Sequence, residues 1–381
     1  MFKGQKSFRS IVIAATLIVA TTITASASWL DYINPISYFT TAESAALAVA
    51  GAPAMVIGTC DTAGPIEVES TLPSGPTAYA TLSAAFVAIN AGTHQGAINI
   101  EVCANSTETA ATVLNSSGAG SANYTSISIR PLVDGVTISG PTVTGRGLIE
   151  LNGADNVTID GDNPNTAGTN RNLTITNTAA ATVTYSSVIR LAHSTLITSN
   201  NNNTIRNLIL NGSATGRNAA ANTSTSGSEN TTYGILAGGG ASTSAATTAP
   251  SAVTSVSNAG SQIPSGQTTT NLVVDNNAIN ACARGIALHG AAATVATGLQ
   301  ITGNSIGSTT LGATTNVYSM GITVQGSSNG IIRQNTINNV ESYLSTSLRG
   351  IDIGSISGVA GDQFTIDRNI ISNVISRSTT G

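Results

Sequence analysis

The chain has 381 residues, enough for two average domains or for one long repeat array. Only 8 % of them are charged and 4 % aromatic, against 41 % hydrophobic and 39 glycines, which argues against a typical cytoplasmic enzyme and against a charge-driven disordered chain. The formal net charge of −4 offers no basic patch for a phosphate backbone, so no nucleic-acid partner is expected.

Residues 1–27 read as a secretory signal peptide. Lys3, Lys6 and Arg9 make a positive start, an apolar run follows from Ile11 to Thr24, and Ala25-Ser26-Ala27 is a small-residue cleavage site. The apolar run is short for a membrane span, and an uncleaved anchor is the alternative. Residues 28–78 read as an N-terminal segment or linker, including the mildly apolar stretch Ala45–Gly58 that Pro53 interrupts. No transmembrane helix is expected in the mature chain. Removing Lys3, Lys6 and Arg9 from the 14 basic residues leaves about 11 arginines, no lysine and 18 acids, a net near −7. A chain without lysine has no Schiff-base mechanism, no P-loop and no Ser-Lys dyad.

Of the three cysteines, Cys60 and Cys103 flank the first folded-looking segment and are expected to form a disulfide in an exported protein. The loop closed would be about 44 residues, worth at most ~4 kcal/mol on the chain-entropy model. The alternative is three buried reduced thiols. Cys282 is expected to be a small core residue. With His94, His193 and His289 scattered, no zinc spacing arises.

Residues 79–92 read as a capping helix. Leu82, Ala85, Phe86 and Ile89 recur at helical spacing, Thr81 is a candidate N-cap, and Gly92 ends the run. Such a helix would cover strand edges at the open end of a stacked array. Strands are expected at Ala97–Val102, Ser126–Arg130 and Val136–Ile138.

From residue 148 two motifs alternate. The first is Gly-Ile-x-Leu or close to it: Leu148–Leu151, Val188–Leu191, Gly234–Ala237, Gly285–Leu288, Gly321–Val324 and Gly350–Ile353. The second is an apolar-x-apolar strand with Asn three residues on and Ile five on: Val274–Ile279, Ile301–Ile306, Ile332–Ile337 and Ile366–Ile371. Thr204–Leu210 reads as a looser copy with its Asn shifted by one. Alternation of period two inside each motif makes short strands with one apolar face. No single unit can bury that face, but stacking does so in one continuous core. The solution is all-β: a right-handed single-stranded parallel β-helix, or solenoid, over residues 79–381, roughly 35 Å long at the spacing of paired strands. Asn277, Asn304, Asn335 and Asn369 fall at equivalent turns. They are expected to stack as an amide ladder rather than act as independent turn formers. Residues 213–231 and 240–270, rich in Ser, Thr, Ala, Asn and Gly, read as low-complexity loop insertions. The repeats continue to the last residues, so the chain reads as truncated at its C-terminus, the alternative being a short array closed by a partner.

These units resemble the parallel β-helix repeats of the pectate-lyase-like superfamily over about residues 80–381. The opening run Tyr79–Gly92 with Leu151–Gly161 is similar to bacterial secreted and cell-surface β-helix proteins. The resemblance implies a fold that serves lyases, hydrolases, epimerases, adhesins and passenger domains alike. It also implies that any chemistry sits on an outward strand face. With Ile and Leu inward, one outward column reads Glu150, Arg190, Leu236, Ala287, Thr323, Asp352, and the next Asn152, Ala192, Gly238, His289, Gln325, Gly354. Glu150 and Arg190 fall on adjacent coils. They are either the remnant of a lyase base with calcium-holding acids or an exposed cross-strand salt bridge worth under ~1 kcal/mol. We weight the salt bridge and assign no catalytic residue. A common groove lined by Glu150, Arg190 and Asp352 would favour the enzyme. The family's hydrolase signatures are absent, and Leu288-His289-Gly290 lacks the first Gly of one of them. Asp160-Gly161-Asp162-Asn163-Pro164-Asn165 offers hard oxygens for calcium but reads better as an Asx-rich turn. Sequons at Asn105, Asn156 and Asn172 are as expected by chance in such a composition. No other cofactor is expected. The function expected is a non-enzymatic, exported bacterial surface or adhesin-like module binding a glycan or a partner. The alternative is a carbohydrate-active enzyme on an acidic polysaccharide.

Overall fold

The structure is a computed structural model that describes residues 58–180, 183–193, 200–213, 232–238, 249–254, 268–290, 295–342, 348–354 and 362–376. All belong to one compact unit, Ile57–Gly381. The signal sequence 1–27, residues 28–57, and most of the insertions 213–231 and 240–270 lie outside the described residues.

The described residues form three long sheets of ten, eight and seven strands. From Gln95–Val102 onward the chain visits them in fixed rotation, for example Val157–Asp160, Leu173–Asn177, Ser187–Ala192, then Thr204–Arg206 beside the first of these. From Gln95–Val102 onward the successive strands in each sheet pair in parallel, with one register shift at Gly96–Ala97. The architecture is all-β with stacked parallel sheets, compatible with a β-helix or solenoid.

The register follows from the period-two pattern. In the ten-stranded sheet one inward column runs Ile100, Ile129, Ile159, Ile205, Val274, Ile301, Ile332, Ile366. The first seven are buried to within 1 % exposure, whereas Ile366 on the last described coil is 54 % exposed. The eight-stranded sheet stacks Ile138, Ile175, Leu210, Ile279, Ile306 and Ile337 in the same way. A one-residue slip anywhere would turn a whole strand's apolar set outward, so the columns lock one another. The second sequence motif spans a corner between these two sheets, and the first motif forms the seven-stranded one.

The corner explains its asparagines. Asn207, Asn276, Gln334 and Arg368 have positive φ there, a conformation Asn tolerates better than most residues. One residue later stands the internal ladder. Asn277, Asn304 and Asn335 each donate both their backbone N–H and their Nδ2 to the Oδ1 of the next ladder Asn, at 2.9–3.0 Å. Each also donates Nδ2 back to a backbone carbonyl of the preceding coil. All three are buried. In the copy at residues 204–210 the Asn is displaced by one, as read from the sequence: Asn207 holds the left-handed corner in register with Asn276, and Leu208 occupies the ladder position, closing it with its backbone N–H on Asn277 Oδ1.

The helix Leu82–Asn90 buries Leu82, Ala85, Phe86 and Ile89. Thr81 Oγ1 accepts from Ala84 N at 3.1 Å. Its first two free N–H groups, Leu82 and Ser83, are met at 2.9 Å by the carboxylate of buried Glu108, which combines hydrogen bonding with a charge suited to a helix N-terminus. Residues 58–78, read above as part of an N-terminal segment or linker, include two paired strands. Ile66–Leu72 pairs antiparallel with Thr77–Tyr79 on one side and with Gln95–Val102 on the other, extending the ten-stranded sheet. Cys60 and Cys103 form a disulfide, with Cα atoms 5.8 Å apart. Cys282 is buried in the core. No helix of the described residues is long and apolar enough to cross a membrane.

Candidate functional site

The seven-stranded sheet carries the outward column read from the sequence, in the same register: Glu150, Arg190, Leu236, Ala287, Thr323, Asp352. Its exposure differs from the expectation. Glu150, Arg190, Leu236, Ala287 and Thr323 are each 0 % exposed. The face is roofed by chain. Val253 packs with Tyr233, Leu236 and Ala287 as a second small core outside the sheet. Gly145 allows the roof to lie flat, since a Cβ there would stand 2.3 Å from Val253 O.

The Glu150–Arg190 pair is therefore not an exposed cross-strand salt bridge, which corrects the reading above. Arg190 Nη1 lies 3.1 Å from Glu150 Oε1 and also donates to Gly145 O at 2.9 Å, while Nη2 donates to Ser251 O at 2.6 Å. Glu150 further accepts from Gly147 N at 2.8 Å and from Arg146 Nε and Nη2. One carboxylate thus sits between two guanidiniums, and Arg190 reaches two roof segments. Burial pulls the Arg190 guanidinium below its ordinary value, opposed by the charge of Glu150. The arrangement fastens loops to the sheet and leaves neither group open to a polymer. Asp352 lies four strands further on, about 19 Å at the spacing of paired strands, and pairs with Arg349 at 2.7 Å. Glu150, Arg190 and Asp352 do not line a common groove.

Beside the covered column, an open groove of about 290 Å³ is lined by Thr109, Ala111, Val113, Thr142, Val143 and Arg146. Arg146 is the charged residue of its lining, and its side chain is 17 % exposed. In the second column His289 is 4 % exposed, with Nδ1 3.1 Å from Gln325 Oε1, on a cavity of only about 10 Å³. Burial, reinforced by Arg284, lowers His289 to about 4. His193 is likewise lowered to about 4, by burial first and then by the charge of Arg190. Both are neutral core histidines. His94, the third, is buried between Tyr79 Oη at 2.6 Å and Ser70 Oγ at 3.2 Å.

Asp160–Asn165 is occupied with its own turn. Asp160 pairs with Arg206 at 2.7 Å and accepts from Asn207 Nδ2 and Asp162 N. Asn163 Oδ1 accepts from Asn165 N, and Asp162 Oδ1 from Asn170 N. Sequence reasoning missed a different group. Asp61, Glu67 and Glu69 bring carboxylate oxygens within 4.8 Å of one another. The Glu67-x-Glu69 alternation was the available signal, but Asp61 reaches it only through the fold.

Comparisons with protein-family models, with curated proteins and with solved structures returned no match for this chain.

Proposed function

We propose that the chain is an exported, non-enzymatic surface or adhesin-like module of bacterial origin, which binds a glycan or a protein partner through its loops and open outer surface. The observation that carries this reading is the roof over the seven-stranded sheet. Glu150 and Arg190, the one acid–base pair of the outward column, are spent on holding that roof. The Cys60–Cys103 disulfide supports an oxidising, extracytoplasmic setting, in line with the signal-like residues 1–27. We further read the winding as a right-handed single-stranded β-helix of the pectate-lyase-like kind. Support comes from the fixed three-sheet rotation, the in-register parallel pairing and the hand that parallel crossovers take.

The second reading is a carbohydrate-active enzyme on an acidic polysaccharide, and the open groove beside Arg146 is what favours it. One experiment separates the two. The purified chain is incubated with neutral and acidic polysaccharides, with and without calcium, while unsaturated-product absorbance and pull-down are followed together. Binding without turnover is the expected result. Calcium-dependent turnover that disappears in Arg146→Ala, with the fold retained, would establish the enzyme instead.

A further inference from the structure

The antiparallel start of the ten-stranded sheet holds an electrostatic problem. Glu67 and Glu101 stand directly opposite each other across the pair formed by Ile66–Leu72 and Gln95–Val102, and both are 0 % exposed. Like charges facing one another are unfavourable even on an open sheet, and burial removes the water that would screen them. Glu69 projects from the same face two residues on. The chain before the strand folds back over them, held by the Cys60–Cys103 bridge, and brings Asp61 to Glu67 and Glu69.

Compensation within the protein is small. Arg130, on the next strand, lies 3.6 Å from Glu101 Oε1 and is the cation paired with it. Neither oxygen of Glu101 has a hydrogen-bond partner among the described residues. Glu67 Oε2 accepts from Thr62 N and Thr62 Oγ1, both at 2.6 Å, which orients the carboxylate and leaves Oε1 without a partner. Among the described residues, four carboxylates thus face one guanidinium. A buried carboxylate left in this state is strongly disfavoured unless a cation joins it.

We propose that Asp61, Glu67 and Glu69 bind a divalent cation of calcium's size, with the buried charge of Glu101 behind it, and that this ion fastens the Cys60 segment to the sheet. Ligand oxygens about a calcium ion lie at 2.3–2.6 Å from it and so fall within roughly 5 Å of one another, which the 4.8 Å span satisfies. Exposed Asp61 leaves one side open to the water that fills the remaining positions. Calcium accepts the irregular geometry of two strand residues and a loop residue better than magnesium, which demands a near-ideal octahedron.

The test uses the full chain stripped with chelator, titrated with calcium chloride by calorimetry and by thermal unfolding at pH 7.5. Expected are saturable binding of one ion and a rise of about 3 °C or more at calcium well above Kd. Both are lost in Asp61→Asn/Glu69→Gln, two positions outside the buried core that leave the fold intact, and both are kept in Asp160→Asn/Asp162→Asn. Two results overturn the proposal: no calcium binding by the wild type, or binding unchanged in Asp61→Asn/Glu69→Gln.

Discussion

Gly285 is the seat of Ile306. A Cβ on Gly285 would lie 2.7 Å from Ile306 Cγ2 and 2.6 Å from the backbone oxygen of Gly321, the glycine of the next coil. The relation repeats, with Gly321 against Ile337 and Gly350 O, and with Gly350 against Ile371. The glycine of one sequence motif and the final isoleucine of the other are therefore halves of one packing unit. Gly285→Ala is expected to destabilise by about 1–3 kcal/mol, because the obstructing atom is backbone and cannot swing aside. Chemical denaturation followed by circular dichroism measures it. A variant as stable as wild type would mean that the coils shift freely.

Glu150 and Arg190 differ in what their removal leaves behind. Glu150→Ala strands a buried guanidinium and the N–H of Gly147, and is expected to cost about 3–5 kcal/mol. Arg190→Met leaves Glu150 with Arg146 and Gly147, so its cost is expected to be smaller. Unfolding midpoints of the two variants side by side decide the order, and the reverse order would place the structural weight on Arg190.

The amide ladder makes a graded prediction. Asn335→Ala removes the acceptor for both donors of Asn304 and the donor to Ile301 O inside the core, at an expected cost of about 2–4 kcal/mol. Asn369→Ala, on the partly exposed last described coil, is expected to cost less. Equal effects would argue against a role for burial.

His193 and His289 set an acid limit. Both are held near 4 in the fold against about 6.5 unfolded, so the unfolded chain binds protons more tightly between those values. Their contribution is complete above about pH 6.5 and is lost as the pH falls toward 4. Asp155, raised by burial to about 6, works in the opposite direction over part of that range. His289→Gln is expected to flatten the loss of stability on acidification, by an amount on the order of a few kcal/mol at pH 4. Thermal unfolding across that range reads it. An unchanged slope would assign the acid limit to other groups.

The repeats made the strand columns legible, because period-two alternation and a recurring Asn determine which residues stack. The column from Glu150 to Asp352 reads from the chain in the register it has in the fold. What covers that column does not. The roof depends on single long-range contacts such as Arg190 with Ser251 and Gly145 with Val253, which leave no periodic trace. The antiparallel strands at residues 66–79 carry no repeat, and the Glu108 carboxylate reaches the helix from 25 or more residues away. The facing pair Glu67 and Glu101 was hidden for the same reason, since antiparallel partners 34 positions apart are not announced by spacing.

The ladder of Asn277, Asn304, Asn335 and Asn369 has a direction. Every Oδ1 that accepts from the preceding Asn points back along the stack, so the amide C=O dipoles lie head to tail with their negative ends toward the earlier coils. Salt does little to screen them in the core. In a chain with only 8 % charged residues, this neutral column gives the interior an electrical polarity that no ionised side chain supplies. A partner meeting the stack from one end encounters a different field from a partner meeting it at the other.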